Sequence, residues 1–141
     1  MTAQEVQSLI VTYLRGVTKD EFWIEALEPG RVRVRFPFYE DMLRPGGRIS
    51  GPAMFTATDV AMYCCVLAHV GPQLMTVTAD MSLRFLRAAK AADMIVEVRL
   101  LKLSPRLAIL EASLFSDGEP EPACHATGSF AIPKPEARAA G

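Results

Sequence analysis

The fold of this chain is decided by residues 50–70, which read SGPAMFTATDVAMYCCVLAHV. Alanine and methionine favour a helix, and the run is too long for a strand. Ser50 is a residue type that often caps a first helical turn, and Pro52 is tolerated within that turn because the N–H it lacks would have no partner there. Gly71 followed by Pro72 is typical of a helix end. We therefore expect one continuous helix across this stretch.

Apolar residues occur on every side of this helix, so it must be surrounded by protein or by lipid. The run is at the lower limit for a membrane span, and polar residues interrupt it, namely Thr56, Thr58, Asp59 and His69. We therefore expect a buried central helix and no membrane segment. Its one carboxylate, Asp59, is costly to bury without a task, which makes it the first candidate for a functional residue.

Composition narrows the class of protein. The chain has 141 residues, half of them apolar, and a net charge of −1, which suits one domain with a substantial core. This even charge balance argues against a nucleic-acid binder. The three cysteines, Cys64, Cys65 and Cys124, form no C-x-x-C pair, and no signal-peptide pattern opens the chain, so we expect reduced thiols and a cytoplasmic location. Neither histidine has a partner at ligand spacing, so we expect no metal and no cofactor.

Alternating apolar and polar residues predict strands on both sides of the helix. An amphipathic helix over residues 3–15 precedes a predicted hairpin of residues 22–28 and 31–38, and residues 40–50 are expected to form a turn-rich loop. After the central helix the chain has four further alternating runs, which predict an antiparallel meander: residues 77–85, 94–103, 107–116 and 123–132. In the first run one face is expected to hold Val77, Ala79, Met81, Leu83 and Phe85, and the other Thr78, Asp80, Ser82 and Arg84.

The order of elements predicts an α+β protein. A single antiparallel sheet of about six strands needs one face covered, and the central helix is the element apolar enough to cover it. A sheet wrapped around one buried helix, with an extra N-terminal helix, is the hotdog architecture. We expect one domain over residues 1–133 and a frayed tail over residues 134–141.

Several motifs resemble those of the hotdog-fold acyl-CoA thioesterases, and among them the PaaI-like branch related to phenylacetyl-CoA and 4-hydroxybenzoyl-CoA thioesterases. Gly51-Pro52 is followed eight residues after the glycine by Asp59, and then by the segment VTADMSLRFLRAA of residues 77–89. Asp117-Gly118 and the segment ATGSF of residues 126–130 continue the likeness. The resemblance covers about residues 40–132.

This resemblance implies roles for three residues. Asp59 matches the catalytic carboxylate, which activates water or attacks as a nucleophile. Gly51 matches the glycine whose backbone N–H polarises the thioester carbonyl. Thr78 matches a hydroxyl that helps to place the attacking water. The family's coenzyme A is part of the substrate rather than a cofactor.

The chain departs from the family pattern before the helix. The family's histidine is Ser50 here, its second glycine is Pro52, and its asparagine six residues before the histidine is Arg44. These three positions are predicted to contact substrate. Arg44 would orient the acyl group or bind a phosphate; the alternative is that it lies in a solvated loop without a substrate contact. The resemblance adds two coenzyme A phosphate contacts near strand ends, Arg84 and Arg106.

The spacing of Gly51 and Asp59 bears on assembly. Eight residues at 1.5 Å each separate them by about 12 Å along one helix, so they cannot both touch one reacting carbon. Two chains with antiparallel central helices would bring Gly51 of one copy against Asp59 of the other. We therefore expect a homodimer, or a homotetramer of such dimers, with a shared site.

The sequence thus predicts an acyl-CoA thioesterase acting on a small or aromatic acyl-CoA thioester. A purely structural oligomerisation module stays open, and so do two alternatives with a ligand or another reaction. One is a non-catalytic hotdog protein that binds acyl thioesters, which the replacement of the family's donors by Ser50 and Arg44 favours. The other is a hotdog dehydratase or hydratase, although such enzymes use a histidine that Ser50 does not supply. Acyl length and the choice between coenzyme A and an acyl carrier protein are not encoded in these motifs.

Overall fold

The computed structural model describes residues 1–13 and 22–134. It contains two helices, α1 (Ala3–Tyr13) and α2 (Gly51–Val70), and a short 3-10 turn at Glu40–Met42. The strands are β1 (Trp23–Glu28), β2 (Arg31–Phe36), β3 (Leu43–Arg44), β4 (Arg48–Ile49), β5 (Val77–Phe85), β6 (Met94–Ser104), β7 (Leu107–Ser116) and β8 (Cys124–Ala131). The last two residues of the predicted first helix, 14 and 15, and most of the predicted tail, 135–141, lie outside the described residues.

Six strands form one antiparallel sheet in the order β1-β2-β6-β7-β8-β5. Helix α2 lies across the inner face of this sheet, and eleven of its 20 residues are buried. Tyr63 of α2 stacks on Phe130 of β8, with ring centroids 6.3 Å apart. The predicted hotdog architecture, with its N-terminal helix, is confirmed.

Helix α2 has the length and apolar composition of a membrane span, but most of it is buried inside the protein. Its thiols belong to that interior, because Cys64 and Cys65 are fully buried. Burial raises the pKa of Cys64, and it raises the pKa of Cys65 to about 12, so both thiols stay protonated at neutral pH. The buried central helix is the element around which the core is built.

The predicted meander is correct for β6, β7 and β8 but wrong for β5. Strand β5 pairs with β8 at the far edge of the sheet and not with β6. The link over residues 86–93 explains this placement, because it crosses the ends of β8 and β7. The Leu86 N–H donates to Ala123 O and the Lys90 N–H to Ser116 Oγ, while Asp93 O accepts from Asp117 N–H. Strand β5 is therefore an edge strand.

Residues 40–50 are more ordered than the predicted loop. They form the 3-10 turn and the two-stranded β3–β4 hairpin, in which Arg44 lies directly opposite Arg48. Gly46 and Gly47 both have positive φ, of 101° and 74°, and allow the tight reversal between the strands. The Ser50 N–H donates to Met42 O at 2.8 Å, which joins the hairpin to the start of α2.

Candidate active site

Asp59 lies in the middle of α2 and is half-buried. It belongs to a stripe of one helix face that the rest of the protomer leaves uncovered, formed with Pro52, Phe55 and Thr56. These positions recur at intervals of three and four residues, so their side chains lie on the same side of the helix. Phe55 is 44% exposed although it is part of an otherwise apolar helix. The carboxylate therefore faces an open, partly apolar surface.

Thr78 is the hydrogen-bond partner of this carboxylate. Its Oγ1 donates to Asp59 Oδ1 at 2.6 Å. The structure gives the Asp59 carboxylate no other partner within residues 1–13 and 22–134, so Oδ2 is open to a water molecule or a substrate atom. A carboxylate that accepts a hydrogen bond from a hydroxyl has its orientation fixed, which suits a general base or a nucleophile.

A β-bulge explains how Thr78 reaches the helix. The strict alternation predicted for β5 puts Thr78 on the outer face, and this prediction is wrong at the start of the strand. The pairing with β8 shifts between Thr78 and Asp80, so Ala79 has no direct partner. Thr78 lies opposite Phe130, which is buried against α2, whereas Asp80 lies opposite the outer-face residue Ser129. The extra residue turns Thr78 towards Asp59.

Gly51 is the first residue of α2. Ser50 caps the helix, since its Oγ accepts a hydrogen bond from Ala53 N–H at 3.2 Å. Among the described residues nothing accepts a hydrogen bond from the Gly51 N–H, as is usual for a first helical turn. The Phe85 ring lies above this glycine, 3.5 Å from the place a Cβ would take. A free N–H with the positive end of the helix dipole suits a developing oxyanion.

The remaining predicted substrate contacts lie in four places. Pro52 is exposed at the helix start, and Arg44 is exposed on β3. Arg84 lies on the outer face of the sheet, opposite His125. Arg106 lies in the β6–β7 turn, where its Nε donates to Ile132 O at 3.1 Å. A single protomer therefore brings together Asp59 and Thr78, whereas Gly51 remains eight residues away along the helix.

Two aromatic residues that the sequence analysis did not place at the site belong to the open surface. Phe55 and Phe85 are 44% and 53% exposed, and they flank the start of α2. The position of Phe55, four residues before Asp59, indicates that the two side chains lie on the same face of the helix. The position of Phe85 depends on the pairing of β5, which the alternation alone did not reveal.

In the described part of the chain, no group of three or more His, Cys, Asp or Glu side chains is arranged to hold a metal ion. His69 is engaged elsewhere, since its Nε2 accepts from Gly30 N–H at 2.8 Å and its Nδ1 lies 2.7 Å from Cys65 O.

Known proteins are similar to this chain in sequence and fold. The profile of the thioesterase superfamily matches residues 46–123. A candidate esterase of Saccharolobus solfataricus is 31% identical over 108 residues, which is 77% of this chain and 71% of that protein. A candidate thioesterase from a Silicibacter species has 38% sequence identity to this chain. Its crystal structure superposes with a TM-score of 0.78, and the match covers 91% of this chain and 92% of that one.

Less similar structures share the fold alone. A candidate thioesterase from Ralstonia eutropha, described as related to phenylacetic acid degradation, has a TM-score of 0.74 at 21% identity and covers 84% of this chain and 89% of its own. The profile match includes the start of α2, Asp59 and Thr78, and it spans more than half of the 141 residues. The chain therefore belongs to the thioesterase superfamily.

Proposed function

We propose that this protein is an acyl-CoA thioesterase whose active site is shared between two copies of the chain. One observation carries the proposal: Asp59 is half-buried, hydrogen-bonded by Thr78, and placed on a helix face that the protomer leaves open. A purely structural buried carboxylate would be enclosed and fully paired. An oriented carboxylate with one open oxygen has instead the arrangement of a group that acts on a substrate.

The reaction follows from these groups. In one route Asp59 takes a proton from water, and the resulting hydroxide attacks the thioester carbonyl carbon. In the other route the carboxylate attacks the carbon itself to form a mixed anhydride, which water then hydrolyses. In both routes the carbonyl oxygen becomes negative and is stabilised by the Gly51 N–H, and the C–S bond breaks to release coenzyme A as its thiolate. In the first route the proton held by Asp59 then passes to this thiolate or to solvent, which restores the carboxylate. The reaction needs no metal or organic cofactor.

A homodimer completes this site. The helix stripe that holds Asp59 leaves Phe55 uncovered, and the edge strand β5 exposes Val77, which is 55% accessible. An exposed apolar surface beside an unpaired strand edge is a surface that a second copy can cover. Two-fold pairing of the β5 edges would bring two α2 helices side by side and antiparallel. The Gly51 of one copy would then face the Asp59 of its neighbour.

The residues around the site favour a small or aromatic acyl group as the substrate, and the cysteines favour a cytoplasmic location for the protein. The rings of Phe55 and Phe85 flank the start of α2 and offer flat apolar surfaces to an acyl chain or ring. The free thiols, all three of which are buried, suit a reducing compartment.

The first experiment measures thiol release from a panel of acyl-CoA esters with the wild-type protein, Asp59→Asn and Asp59→Ala. Both variants are expected to lose about 10²–10⁴-fold in kcat, because general-base catalysis is worth that much. Circular dichroism and the melting temperature show that the fold is retained. Unchanged turnover in a folded variant would contradict the role of Asp59. Tight binding of esters without thiol release by the wild type would point to a non-catalytic binding protein.

A second experiment tests the Gly51 N–H. Gly51→Ala keeps this N–H, whereas Gly51→Pro removes it at a helix position that tolerates proline. Loss of one oxyanion donor is expected to lower kcat by about 10²–10³-fold in Gly51→Pro relative to Gly51→Ala. Equal rates in the two folded variants would exclude the donor.

Mixed dimers of two variant subunits test whether the active site is shared between two copies of the chain. Subunits of Asp59→Ala and Gly51→Pro, each inactive alone, are co-expressed with different affinity tags. Each mixed dimer should contain one intact site and one doubly altered site, so a random mixture should regain about a quarter of the wild-type activity. No recovery in purified mixed dimers would place both groups in one protomer.

A further inference from the structure

The β3–β4 hairpin carries two arginines that face each other. Arg44 and Arg48 are directly opposite in the register of this hairpin, and both are exposed. Residues directly opposite in an antiparallel pair lie on the same face with their Cβ atoms about 5 Å apart. Like charges in such a pair destabilise it. The hairpin therefore holds an unfavourable arrangement that an anion between the two guanidinium groups would relieve.

Among the residues that the structure describes, neither arginine has a side-chain partner. The structure gives Arg44 and Arg48 no ion pair or side-chain hydrogen bond within residues 1–13 and 22–134. Arg35 and Arg99, by contrast, both pair with carboxylates. Arginine binds carboxylate and phosphate groups with two parallel hydrogen bonds. Two unpartnered arginines on one face thus form a receptor for a single oxyanion group.

The hairpin is held in place beside the proposed reaction centre. Its other face is fixed in the protein, because Ile49 is buried and Leu43 packs against the core. The Ile49 N–H also donates to Ala89 O at 3.1 Å. Arg48 is only three residues before Gly51, so their Cα atoms are at most about 10 Å apart. An anion held by this pair would lie close to the thioester carbonyl.

On the basis of the proposed function, we infer that Arg44 and Arg48 bind a carboxylate carried by the acyl group, so that the preferred substrates are acyl thioesters with a terminal acid. The phosphates of coenzyme A offer similar chemistry, but the length of the pantetheine arm separates them from the thioester. The terminal carboxylate of a short acyl chain lies close enough to the thioester to reach Arg48, whose Cα atom is at most about 10 Å from that of Gly51. The arginine pair would make the enzyme selective for dicarboxylic over neutral acyl groups.

The test compares adipyl-CoA with hexanoyl-CoA, which have the same chain length and differ in the terminal carboxylate. The wild type is expected to prefer adipyl-CoA in kcat/KM. Arg44→Gln and Arg48→Gln should each lower this preference by about tenfold or more, because each removes hydrogen bonds to a charged group. Arg48→Lys, which keeps the charge but not the fork of donors, should lose less. Arg31→Gln is the matched control, since Arg31 is an exposed arginine on the outer sheet face without an ion-pair partner among the described residues.

A second pair of substrates separates the two sources of the anion. The N-acetylcysteamine thioesters of the same two acids lack the phosphates of coenzyme A. If the arginines bind the acyl carboxylate, the variants lose the same preference with these esters. In the opposite outcome, the variants lose kcat/KM equally for adipyl-CoA and hexanoyl-CoA and keep the wild-type kcat/KM with the N-acetylcysteamine esters. That result would assign the arginines to phosphate and overturn the inference. An unchanged preference in both variants would also overturn it.

The outcome is distinguishable from a failure of the proposed function. If the wild type hydrolyses hexanoyl-CoA but the variants keep the wild-type preference, the function stands and the inference fails. If the wild type hydrolyses neither ester, the function fails, and calorimetry with the intact esters tests the inference alone. Equal affinity of the wild type for adipyl-CoA and hexanoyl-CoA would then contradict it.

Discussion

At the scale of single residues, the site depends on one hydroxyl being turned towards one carboxylate. Thr78 donates to Asp59 only because the bulge at Ala79 reverses its side of the sheet. Bulges often re-aim a side chain next to active sites. A regular strand with the same residues would turn Thr78 away from α2 and leave Asp59 without its partner.

The first prediction concerns this hydrogen bond. Thr78→Val keeps the shape of the side chain and removes the donor, so kcat for thiol release should fall by about tenfold or more. Thr78→Ser keeps the donor and should retain most of the rate. A Thr78→Val enzyme with wild-type kcat would show that this hydroxyl does not orient the carboxylate.

The second prediction concerns the contact between β8 and its neighbours. A Cβ at Gly128 would lie 3.1 Å from Met62 Sδ and 3.2 Å from the backbone oxygen of Asp80. The methionine can move, but the backbone of the bulged strand cannot move without cost. Gly128→Ala should therefore destabilise the protein by about 1–3 kcal/mol in urea unfolding. Thr127→Ala, on the exposed side of the same strand, is the control and should change stability by less than about 0.5 kcal/mol.

At the scale of elements, an ion-pair network joins the first strands to the rest of the sheet. Arg35 of β2 contacts Glu25 of β1 at 2.8 Å, Asp93 before β6 at 3.2 Å and Asp117 after β7 at 3.0 Å. Asp93 also accepts a hydrogen bond from Phe38 N–H at 2.8 Å. The alternation of β2 puts its three arginines on one face, but it does not identify carboxylates from three other segments as their partners.

The third prediction follows from the charge of Glu25. The hydrogen bond from Arg35 is the largest cause that lowers the pKa of Glu25 below its ordinary value of 4.5; partial burial opposes it and Arg33 adds to it. A pKa lowered in the folded state stabilises the protein above the unfolded pKa, and this stabilisation is lost as the pH falls through the folded value. Glu25→Gln should therefore be less stable than the wild type at pH 7, by about 1 kcal/mol or less.

Thermal unfolding between pH 7 and pH 2 measures this effect. The difference in stability between the wild type and Glu25→Gln should shrink as the pH falls below about 4.5. Glu28→Gln is the control, because Glu28 lies on the same strand and has no ion pair with a described residue. A difference that is independent of pH would show that the charge of Glu25 does not stabilise the fold.

At the scale of the whole molecule, the open helix stripe and the edge of β5 lie on one side of the protomer. The central helix is apolar on all sides, yet the protomer covers only part of it. The uncovered part contains Asp59 and begins next to Gly51, so assembly and catalysis would use the same surface. This arrangement would make activity depend on dimerisation.

The fourth prediction tests this dependence. Phe55→Lys places a charge in the stripe and should convert a dimer into a monomer in sedimentation experiments, with loss of thiol release. Leu101→Lys is the control, because Leu101 on β6 is 48% exposed, close to the 44% of Phe55, but lies outside the stripe. A fully active Phe55→Lys monomer would contradict the shared site.

The sequence alone determined the two helices, the six strands of the large sheet and the architecture, because local patterns specify them. The apolar run from Ser50 to Val70 required a covering sheet, and the alternating runs supplied one. The nearby signals for a cap and a stop set the ends of α2, where Ser50 and Gly71 cap the helix. Asp59 was identified as a candidate from the cost of burying its charge.

Only the tertiary structure decided which strands are neighbours, which way Thr78 points and which arginines lack partners. Strand β5 pairs with β8, and a bulge arises in that pairing, through contacts between residues about 50 positions apart. The opposition of Arg44 and Arg48 depends on a hairpin that the sequence presented as a loop. Pairing, bulges and charge neighbours are set by contacts between distant segments, and local periodicity contains no information about them.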